Sequence, residues 1–375
     1  MLTSAEMQRY SRHLALPGFG VEAQQRLKSA RVLVVGAGGL GAPALLYLAA
    51  AGVGTLGIVD DDRVEESNLQ RQILFSSAEI GTLKTEQAAK RLRELNPHVD
   101  VEIFNERLRA DNAERIIRNF DVVIDGSDNF ATRYLINDAC VVLDKPFVAA
   151  SILKFEGQLS VFNLKQGQQR GPTYRCLFPE PPSPEQAPSC SEAGVLGALA
   201  GIIGSFQALE TLKLLSGVGE ALSGKLLCFD GLTGIISYVR FVRDEKLAQS
   251  TVILDDAAYS LVCRNKAMSP VKVISVKELS EKLQNKEDLH LVDVREAFER
   301  EIASLGGSHI PLAALASQAN DIPRDKEVIV YCRSGGRSQR AVEMLQEKFG
   351  FTNLKNLQGG VLAWADQIDP HMKKY

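Results

Sequence analysis

The sequence has few of the features that mark secreted or nucleic-acid-binding proteins. Its 375 residues include only six cysteines, and their spacing shows no disulfide framework. We therefore expect a cytoplasmic protein in which each thiol is a core residue, a metal ligand or a nucleophile. The formal net charge is -3, whereas a protein that grips nucleic acid through phosphate contacts is usually basic. We expect no nucleic-acid partner.

Long apolar segments are scarce as well. The first thirty residues show no apolar core of the kind that a signal peptide needs. The longest apolar run, residues 193 to 206, is shorter than a membrane-spanning helix and is interrupted by glycines. We interpret this run as a tightly packed core helix and expect no membrane association. The sequence also shows no internal repeat.

The hydrophobic pattern predicts a doubly wound, Rossmann-like α/β fold in the first part of the chain. Short β-branched runs predict strands, and they alternate with helical segments, as in a parallel sheet with helices on both faces. The strands are predicted at 31–35, 55–60, 99–104 and 121–125, and the helices at 41–51 and 84–95. Further on, residues 156–163 and 235–242 alternate as antiparallel strands do.

Two segments divide the chain. A polar, proline-rich stretch at about 165–190 is long for a loop, and loops of that length are usually functional or disordered. A weakly periodic stretch follows near 244–270, and a second α/β pattern begins at Val273. We therefore predict a first domain over 1–244, a linker over 245–270, and a second α/β domain over 271–375.

The first strand–helix turn carries a glycine pattern that is typical of nucleotide binding. Gly36-Ala37-Gly38-Gly39-Leu40-Gly41 fits G-x-G-x-x-G, in which glycines let the backbone approach phosphate at a helix N-terminus. Asp60 ends the second predicted strand, where it could bind ribose hydroxyls. These two features alone would also suit a nicotinamide-dependent dehydrogenase.

The residues that follow favour nucleotidyl transfer instead. Residues 60–72 read DDDRVEESNLQRQ, Lys84 lies on the next helix, and Ser127-Asp128-Asn129 follow a strand. Cations such as Arg71 and Lys84 would stabilise charge on an α-phosphate, and an Asp would hold Mg²⁺. Hydride transfer has no use for such a set, so we predict an enzyme that uses ATP and Mg²⁺.

A second reactive centre is predicted at the sequence CRSGGRS, residues 332–338. Cys332 follows a strand and precedes a helix, so main-chain N–H groups would surround its sulfur, with Arg333 and Arg337 nearby. Such surroundings stabilise a thiolate or a persulfide anion. Only four residues separate Cys332 from Arg337, one fewer than in Cys-x5-Arg phosphatases, so the tighter loop suits a single sulfur atom.

The motifs GAGGLG, DDDRVEESNLQRQ, GTLKTE and SDN resemble the MoeB/ThiF branch of the E1-like activating enzymes over about the first 240 residues. These enzymes adenylylate the C-terminal glycine of ubiquitin-like sulfur carriers that end in Gly-Gly. The resemblance implies that Arg12, in MQRYSRH, reaches the active site of a partner protomer in a homodimer. It implies that Asp128 binds Mg²⁺ and that nucleotide is bound by Gly36, Gly38, Gly39, Gly41, Asp60, Asn68, Arg71, Gln72, Lys84, Asp128 and Asn129.

The last hundred or so residues resemble a single rhodanese domain, through LVDVRE, SHIPL, CRSGGRS and LQGGVLAW. This resemblance implies that Cys332 carries a persulfide, loaded by a donor such as a cysteine desulfurase. Asp293 and Trp364 are then structural. Cys190, at the end of the proline-rich stretch, matches the loop cysteine of the activating enzymes that can link covalently to the carrier. Cys140 and Cys228 are expected in the core.

One departure from the family pattern concerns zinc. The activating enzymes usually have two Cys-x-x-Cys pairs that hold a structural zinc in a closed tetrahedron. The corresponding places here read Thr173-Tyr174-Arg175-Cys176 and Ser260-Leu261-Val262-Cys263, so each pair has lost its first thiol. We therefore expect no structural zinc.

The two resemblances, taken together with the residues, imply a two-stage reaction. The carrier's terminal carboxylate attacks the α-phosphate of ATP, and a persulfide on Cys332 then displaces AMP, with Cys190 as a candidate resolving thiol. Two alternatives stay open: a nicotinamide-dependent oxidoreductase, and a non-catalytic scaffold that binds carriers while its rhodanese senses sulfur. The sequence does not identify the carrier, so molybdopterin, thiamin, cysteine or tRNA thiolation are all possible pathways.

Overall fold

The computed structural model describes residues 1–180, 194–248, 253, 255, 256, 259 and 271–374. The chain divides into two compact units, Met1–Asn265 and Lys266–Tyr375.

The first unit contains a large sheet. The strands of the unit are β1 (Arg31–Val35), β2 (Thr55–Val59), β3 (Asp100–Phe104), β4 (Val122–Asp125), β5 (Phe147–Leu153), β6 (Glu156–Phe162), β7 (Lys165–Gln166), β8 (Gln169–Arg170), β9 (Lys225–Asp230) and β10 (Ile236–Arg240). The unit also has a small sheet, formed by β7 and β8. Its helices are α1 (Ser4–Arg9), α2 (Ser11–Leu14), α3 (Gly20–Ser29), α4 (Gly41–Ala51), α5 (Lys84–Leu95), α6 (Ala113–Ile117), α7 (Phe130–Val142), α8 (Tyr174–Leu177), α9 (Gly197–Ser216) and α10 (Glu245–Ala248).

The strand order in this sheet is β10-β9-β6-β5-β4-β1-β2-β3. The strands from β5 to β3 are parallel, while β6, β9 and β10 pair antiparallel. The chain runs outward from β1 to β3 and then crosses back to β4, so the order reverses between β1 and β4. Ligands of such sheets bind at this reversal, beyond the carboxyl ends of the strands. The predicted doubly wound fold is confirmed.

Side chains from β1 point alternately to two apolar cores, one on each face of the sheet. Val32 and Val34 pack with residues of α4, α5 and α9. Leu33 and Val35 pack with residues of α6 and α7 on the other face. This near-continuous apolar run is what a parallel strand buried on both sides requires.

The apolar run that the sequence placed at 193–206 belongs to a longer helix. Helix α9 has 20 residues and extends beyond the apolar run. Its second half includes the buried polar residues Gln207, Glu210 and Thr211. By length and composition alone, α9 could cross a membrane. The prediction that the apolar segment is too short for a membrane span is therefore corrected. A core helix passes the same test, and α9 packs against α4, β5 and β6 as expected.

The second unit is a smaller, all-parallel sheet in the order β11-β15-β14-β12-β13. Its strands are β11 (Val273–Ile274), β12 (Leu289–Asp293), β13 (Ser308–His309), β14 (Glu327–Tyr331) and β15 (Leu354–Leu357). Its helices are α11 (Val276–Gln284), α12 (Ala297–Ile302), α13 (Gly336–Phe349) and α14 (Gly360–Gln367). Apolar cores again lie on both faces, one with α13 and the other with α11 and α14.

Candidate active sites

The glycine loop joins β1 to α4 at the reversal of strand order. Gly36 has φ 92°, and a Cβ on Gly41 would collide with the Gly36 carbonyl, so both positions need glycine. No hydrogen bond to another described residue engages the main-chain N–H groups of Gly38 and Gly39. Together with the N-terminus of α4, these donors form a place where phosphate can bind.

Asp60 lies directly after β2 and is tied to this loop. Its carboxylate accepts the N–H of Ala37 at 2.8 Å and that of Asp62 at 2.8 Å. Burial raises the pKa of Asp60, although Lys84 and these N–H groups oppose the rise. A carboxylate has about four lone-pair directions, so Asp60 can still accept from the hydroxyls of a ribose.

One predicted cation, Arg71, borders the loop, and another, Lys84, acts electrostatically on Asp60. The stem of Arg71 lies against Gly39, since a Cβ on that glycine would be 3.4 Å from Arg71 Cγ. Arg71 Nη2 donates to Asn68 Oδ1 at 2.6 Å, which fixes its guanidinium. Lys84 begins α5, is 3 % exposed, and its Nζ lies 2.7 Å from Asp62 Oδ2.

Gln72 has an unusual environment beside the same loop. Its side chain is buried, and Nε2 would lie 3.6 Å from a Cβ on Gly38. Its Oε1 has no hydrogen-bond partner among the described residues. An unsatisfied buried amide is costly, so the absence of a protein partner favours a ligand contact here.

The third predicted group follows β4, and its members differ in role. Asp128 is exposed and makes no hydrogen bond or ion pair with the part of the chain that the structure describes. Asn129 instead caps α7, because its Oδ1 accepts the N–H of Thr132 at 2.9 Å. Asp128 is therefore available to a metal-bound nucleotide. The side-chain oxygen of Asn129, in contrast, already accepts a hydrogen bond from α7.

Sequence reasoning missed the buried ion pair beneath this group. Arg133 Nε lies 2.5 Å from Asp125 Oδ2, and Arg133 Nη2 donates to the Ala150 carbonyl at 2.8 Å. Ser127 also donates to Asp125 through its N–H and its hydroxyl. The pair joins the end of β4 to the middle of β5, so it positions the loop that carries Asp128. An Asp at a strand end followed by an Arg in the next helix was the available signal.

Among the described residues, no hydrogen bond or ion pair ties Arg12 to the glycine loop. It is an exposed residue of the short helix α2, and the described part of the chain gives it no ion pair. The structure therefore does not bring Arg12 to the glycine loop through contacts within one chain.

The turn that was expected to have lost a zinc ligand is held by hydrogen bonds. Cys176 Sγ accepts the N–H of Thr173 at 3.4 Å and the N–H of Asp244 at 3.4 Å. Arg175 forms a bidentate pair with buried Asp138 at 2.8 and 2.7 Å. One sulfur thus joins α8 to the start of α10, a donor set unlike a four-thiolate zinc site. Cys190, Ser260 and Cys263 lie outside the described residues.

The thiol loop of the second unit begins where β14 ends. Cys332 is 1 % exposed, and its Sγ accepts the N–H of Gly335 at 3.2 Å. The hydroxyl of buried Ser338 lies 3.4 Å from the same sulfur. Gly335 has φ 97° and precedes α13, so the loop turns tightly around one atom at a helix N-terminus. Of the predicted cradle of main-chain N–H groups, the described hydrogen bonds to the sulfur include one, from Gly335.

Arg337 in this loop is paired with a residue that the sequence did not single out. Its Nη1 and Nη2 each lie 2.6 Å from a carboxylate oxygen of Glu299, on α12. Burial would raise the pKa of Glu299, but the hydrogen bonds from Arg337 hold it below its ordinary value. The pair is therefore ionised and close to neutral as a unit at pH 7.

The residues that the sequence assigned to structural or core positions are buried, with one exception. Asp293 is fully buried in an ion pair with Arg295, and Trp364 packs in the core, as expected for structural residues. Cys140 is buried as expected. Cys228 is only half-buried, because β9 borders the exposed edge strand β10, so its assignment to the core is corrected.

A nucleotide-type glycine loop with cations and a separate thiol loop define an enzyme with two active centres. Family models match both parts: the ThiF family over residues 10–250 and the rhodanese-like domain over residues 275–367. The chain belongs to the ThiF family and carries a rhodanese-like domain after the ThiF domain.

Relatives named for both activities match over the full chain. It is 42% identical to "Probable adenylyltransferase/sulfurtransferase MoeZ" of Mycobacterium tuberculosis, over 100% of this chain and 96% of that protein. It is 43% identical to "Adenylyltransferase and sulfurtransferase MOCS3" of Drosophila willistoni, over 100% of this chain and 86% of that protein. The chain is accordingly an enzyme that combines an adenylyltransferase with a sulfurtransferase.

Solved structures support the fold of the first unit. A crystal structure of E. coli MccB with ATP superposes with a TM-score of 0.56 and 22% identity, covering 65% of this chain and 73% of that chain. The structure of PaaA gives a TM-score of 0.56 at 21% identity, covering 65% and 76%. At this identity the likeness shows the shared fold.

Proposed function

We propose that this enzyme uses Mg-ATP to adenylylate the C-terminal glycine of a ubiquitin-like sulfur-carrier protein ending in Gly-Gly, and then converts the adenylate to a thiocarboxylate. The observation that carries the proposal is the meeting of Arg71, Gln72 and Asp60 around one glycine loop, in a chain that also holds the Cys332 loop. The first site suits a polyanionic nucleotide, and the second suits a single sulfur atom.

In the first stage, the carrier carboxylate attacks the α-phosphate and pyrophosphate leaves. The N–H groups of Gly38 and Gly39 and the side chains of Arg71 and Lys84 bind the phosphates and stabilise charge in the transition state. Asp60 binds the ribose, with Asn68 orienting Arg71. Mg²⁺ held through Asp128 would neutralise phosphate charge. The carrier tail lies beside Gly39, Arg71 and Lys84.

In the second stage, the outer sulfur of a Cys332 persulfide attacks the acyl carbon, and AMP leaves with the electrons of the broken C–O bond. The product is an acyl disulfide. The thiolate of Cys190 then attacks Cys332 Sγ, so that the carrier thiocarboxylate leaves and a disulfide joins the two cysteines. A cellular thiol reductant, which we include in the proposal, reduces that disulfide and restores both thiols.

The proposal extends to partners and location. A persulfide donor such as a cysteine desulfurase loads Cys332, and the enzyme acts in the cytoplasm as a homodimer in which Arg12 completes the partner protomer's site. The exposed position of Arg12 on α2 is what makes such a contribution accessible. No nucleic acid, membrane or structural zinc is needed for either stage.

ATP–pyrophosphate exchange with a panel of purified candidate carriers tests this function. Exchange should occur with at least one diglycine-ended carrier and should disappear when its terminal glycine is deleted. Exchange that needs no carrier, or that tolerates loss of the terminal glycine, would contradict the proposal. Carriers from the four candidate thiolation pathways in one panel would also identify the pathway.

A further inference from the structure

The charge state of the thiol loop bears on which sulfur donor it accepts. The sulfur of Cys332 accepts hydrogen bonds from two uncharged groups, the main-chain N–H of Gly335 and the hydroxyl of Ser338. The loop carries two cations, Arg333 and Arg337. Arg337 directs both terminal nitrogens to the carboxylate of Glu299, at 2.6 Å each. A guanidinium fork engaged in this way is not presented to a second bidentate anion.

The carboxylate that holds Arg337 is itself fixed. Glu299 is 5 % exposed, and its Oε2 also accepts the N–H of Glu296 at 3.0 Å, as part of the N-terminal cap of α12. Arg337 is 17 % exposed at its side chain, so the pair is shielded from the solvent that weakens exposed ion pairs. Thermal motion should seldom release the guanidinium.

We propose that Glu299 is a specificity-determining residue: by holding Arg337 it weakens the binding of dianionic donors such as thiosulfate, and so favours a persulfide on a protein thiol as the donor to Cys332. Affinity for a protein donor comes from its wider surface. Helix α12 exposes Phe298 and Ile302, one turn apart, on the element that carries Glu299. These two side chains are available for contact with a protein donor.

The transfer itself is the same displacement for both donors. The Cys332 thiolate attacks the outer sulfur of R–S–SH, and a new sulfur–sulfur bond forms at Sγ as R–S⁻ leaves. R–S⁻ then takes up the proton of the transferred sulfur, which leaves a persulfide anion on Cys332. With thiosulfate the same attack would release sulfite. Only the second donor carries an oxyanion that a released Arg337 could bind, so the two donors should respond differently to a change at Glu299.

The test uses the full chain with Glu299→Gln, which keeps the volume and the acceptor for Glu296 but removes the charge. The KM for thiosulfate should fall roughly tenfold, the gain of one charge-assisted contact, while kcat changes little. Raising the salt concentration should reverse the gain, because the new contact is between charges. Transfer from a persulfide-loaded cysteine desulfurase should be unchanged. Glu301→Gln, an exposed glutamate on α12, is the matched control and should leave every value as it was.

A double variant, Glu299→Gln with Arg337→Met, removes both charges and avoids a buried unpaired one. Its thiosulfate KM should equal that of the unaltered protein. A sharply raised KM would show that Arg337 already binds the dianion, and an unchanged KM in folded Glu299→Gln would likewise overturn the inference.

This inference rests on the proposed role of Cys332, and the two can fail separately. Cys332→Ser should abolish transfer in every background. Transfer that survives Cys332→Ser would contradict the proposed function, whereas Cys332-dependent transfer with an unaltered thiosulfate KM in Glu299→Gln would contradict this inference alone.

Discussion

The glycine loop of the first unit and the thiol loop of the second use the same element, a parallel strand that runs into a helix N-terminus. They differ in where the donors point. At the glycine loop the N–H groups of Gly38 and Gly39 have no partner among the described residues, and Arg71 lies alongside. At the thiol loop the N–H of Gly335 already serves Cys332 Sγ, and Arg337 is held by Glu299.

This difference accounts for the two chemistries. An N-terminus with free donors and nearby cations can bind a polyanion, whereas one that closes on a sulfur can stabilise only a small anion at that atom. The two loops also belong to separate compact units. Variants in one unit should therefore leave the reaction of the other unit intact.

The largest effect is expected at the sulfur. Cys332→Ser should abolish persulfide formation and thiosulfate sulfurtransferase activity, because the hydroxyl cannot carry sulfane sulfur. ATP–pyrophosphate exchange should persist at its full rate, since no group of the second unit is needed for it. Both activities can be measured on the same preparation. Loss of exchange in a folded Cys332→Ser protein would break the proposed division of labour.

The converse variants lie in the first unit. Arg71→Ala, Lys84→Ala and Asp128→Ala should each lower pyrophosphate exchange by about a hundredfold or more, the usual cost of one lost transition-state donor, and spare thiosulfate activity. Lys90→Ala is the matched control, because Lys90 is exposed on the helix that begins with Lys84. Full exchange activity in all three variants would refute the proposed roles.

A smaller, partial effect tests the homodimer. Mixing Arg12→Ala with Arg71→Ala should restore part of the exchange activity, because a heterodimer contains one site with both cations intact. Each variant alone should stay inactive under the same conditions. Mixtures that demonstrably exchange subunits and yet recover nothing would argue against a shared site.

A modest effect on stability is expected at Glu6 in the first unit. Its carboxylate accepts from Lys28 Nζ at 2.8 Å, and despite the opposing effect of burial this contact and the Thr3 cap hold its pKa at about 2. The folded pKa is depressed, so the stabilisation is present above pH 4.5 and is lost as the pH falls toward 2. Glu6→Gln should destabilise the first unit by ~1–2 kcal/mol at pH 7, after allowance for the exposure of Lys28.

Thermal unfolding of Glu6→Gln at a series of pH values checks this. The difference from the unaltered protein should shrink steadily below pH 4.5, and the transition of the second unit should not move. A difference that grows on acidification would show that the sign is wrong.

The smallest effect is expected from metal removal. With one sulfur at the Cys176 turn engaged by two main-chain N–H groups, we predict no structural zinc, so mild chelation should leave exchange and unfolding unchanged. Elemental analysis of untagged protein measures this. About one zinc per chain, retained after chelation, would contradict it.

Much of the fold and of both loops could be predicted from the sequence, because they rest on local patterns. The run 31–35 and the helix 84–95 have the same bounds in the structure as in the prediction. Strand β5 was missed because Phe147–Leu153 has neither strict alternation nor a fully apolar run. Strand β9 was missed because it depends on pairing with β6 and β10, which lie far away in sequence.

The relations between side chains could not be predicted in the same way. Glu299 and Arg337 are 38 residues apart, and nothing local indicates that α12 turns one towards the other. The Asn129 cap is a second relation of this kind, because the family motif gave no sign that this side chain also caps its own helix. Pairs of this kind follow from tertiary packing, which a single sequence does not specify.

The most direct test of the two-centre account is the mass of the carrier after incubation with enzyme, ATP and a sulfur donor. The unaltered enzyme should convert the carrier to a species in which one oxygen of the terminal carboxylate is replaced by sulfur. Cys332→Ser should form the adenylate, seen as continued pyrophosphate exchange, and produce no such species. Thiocarboxylate formed by Cys332→Ser, or none formed by the unaltered enzyme with a carrier that supports exchange, would contradict the account.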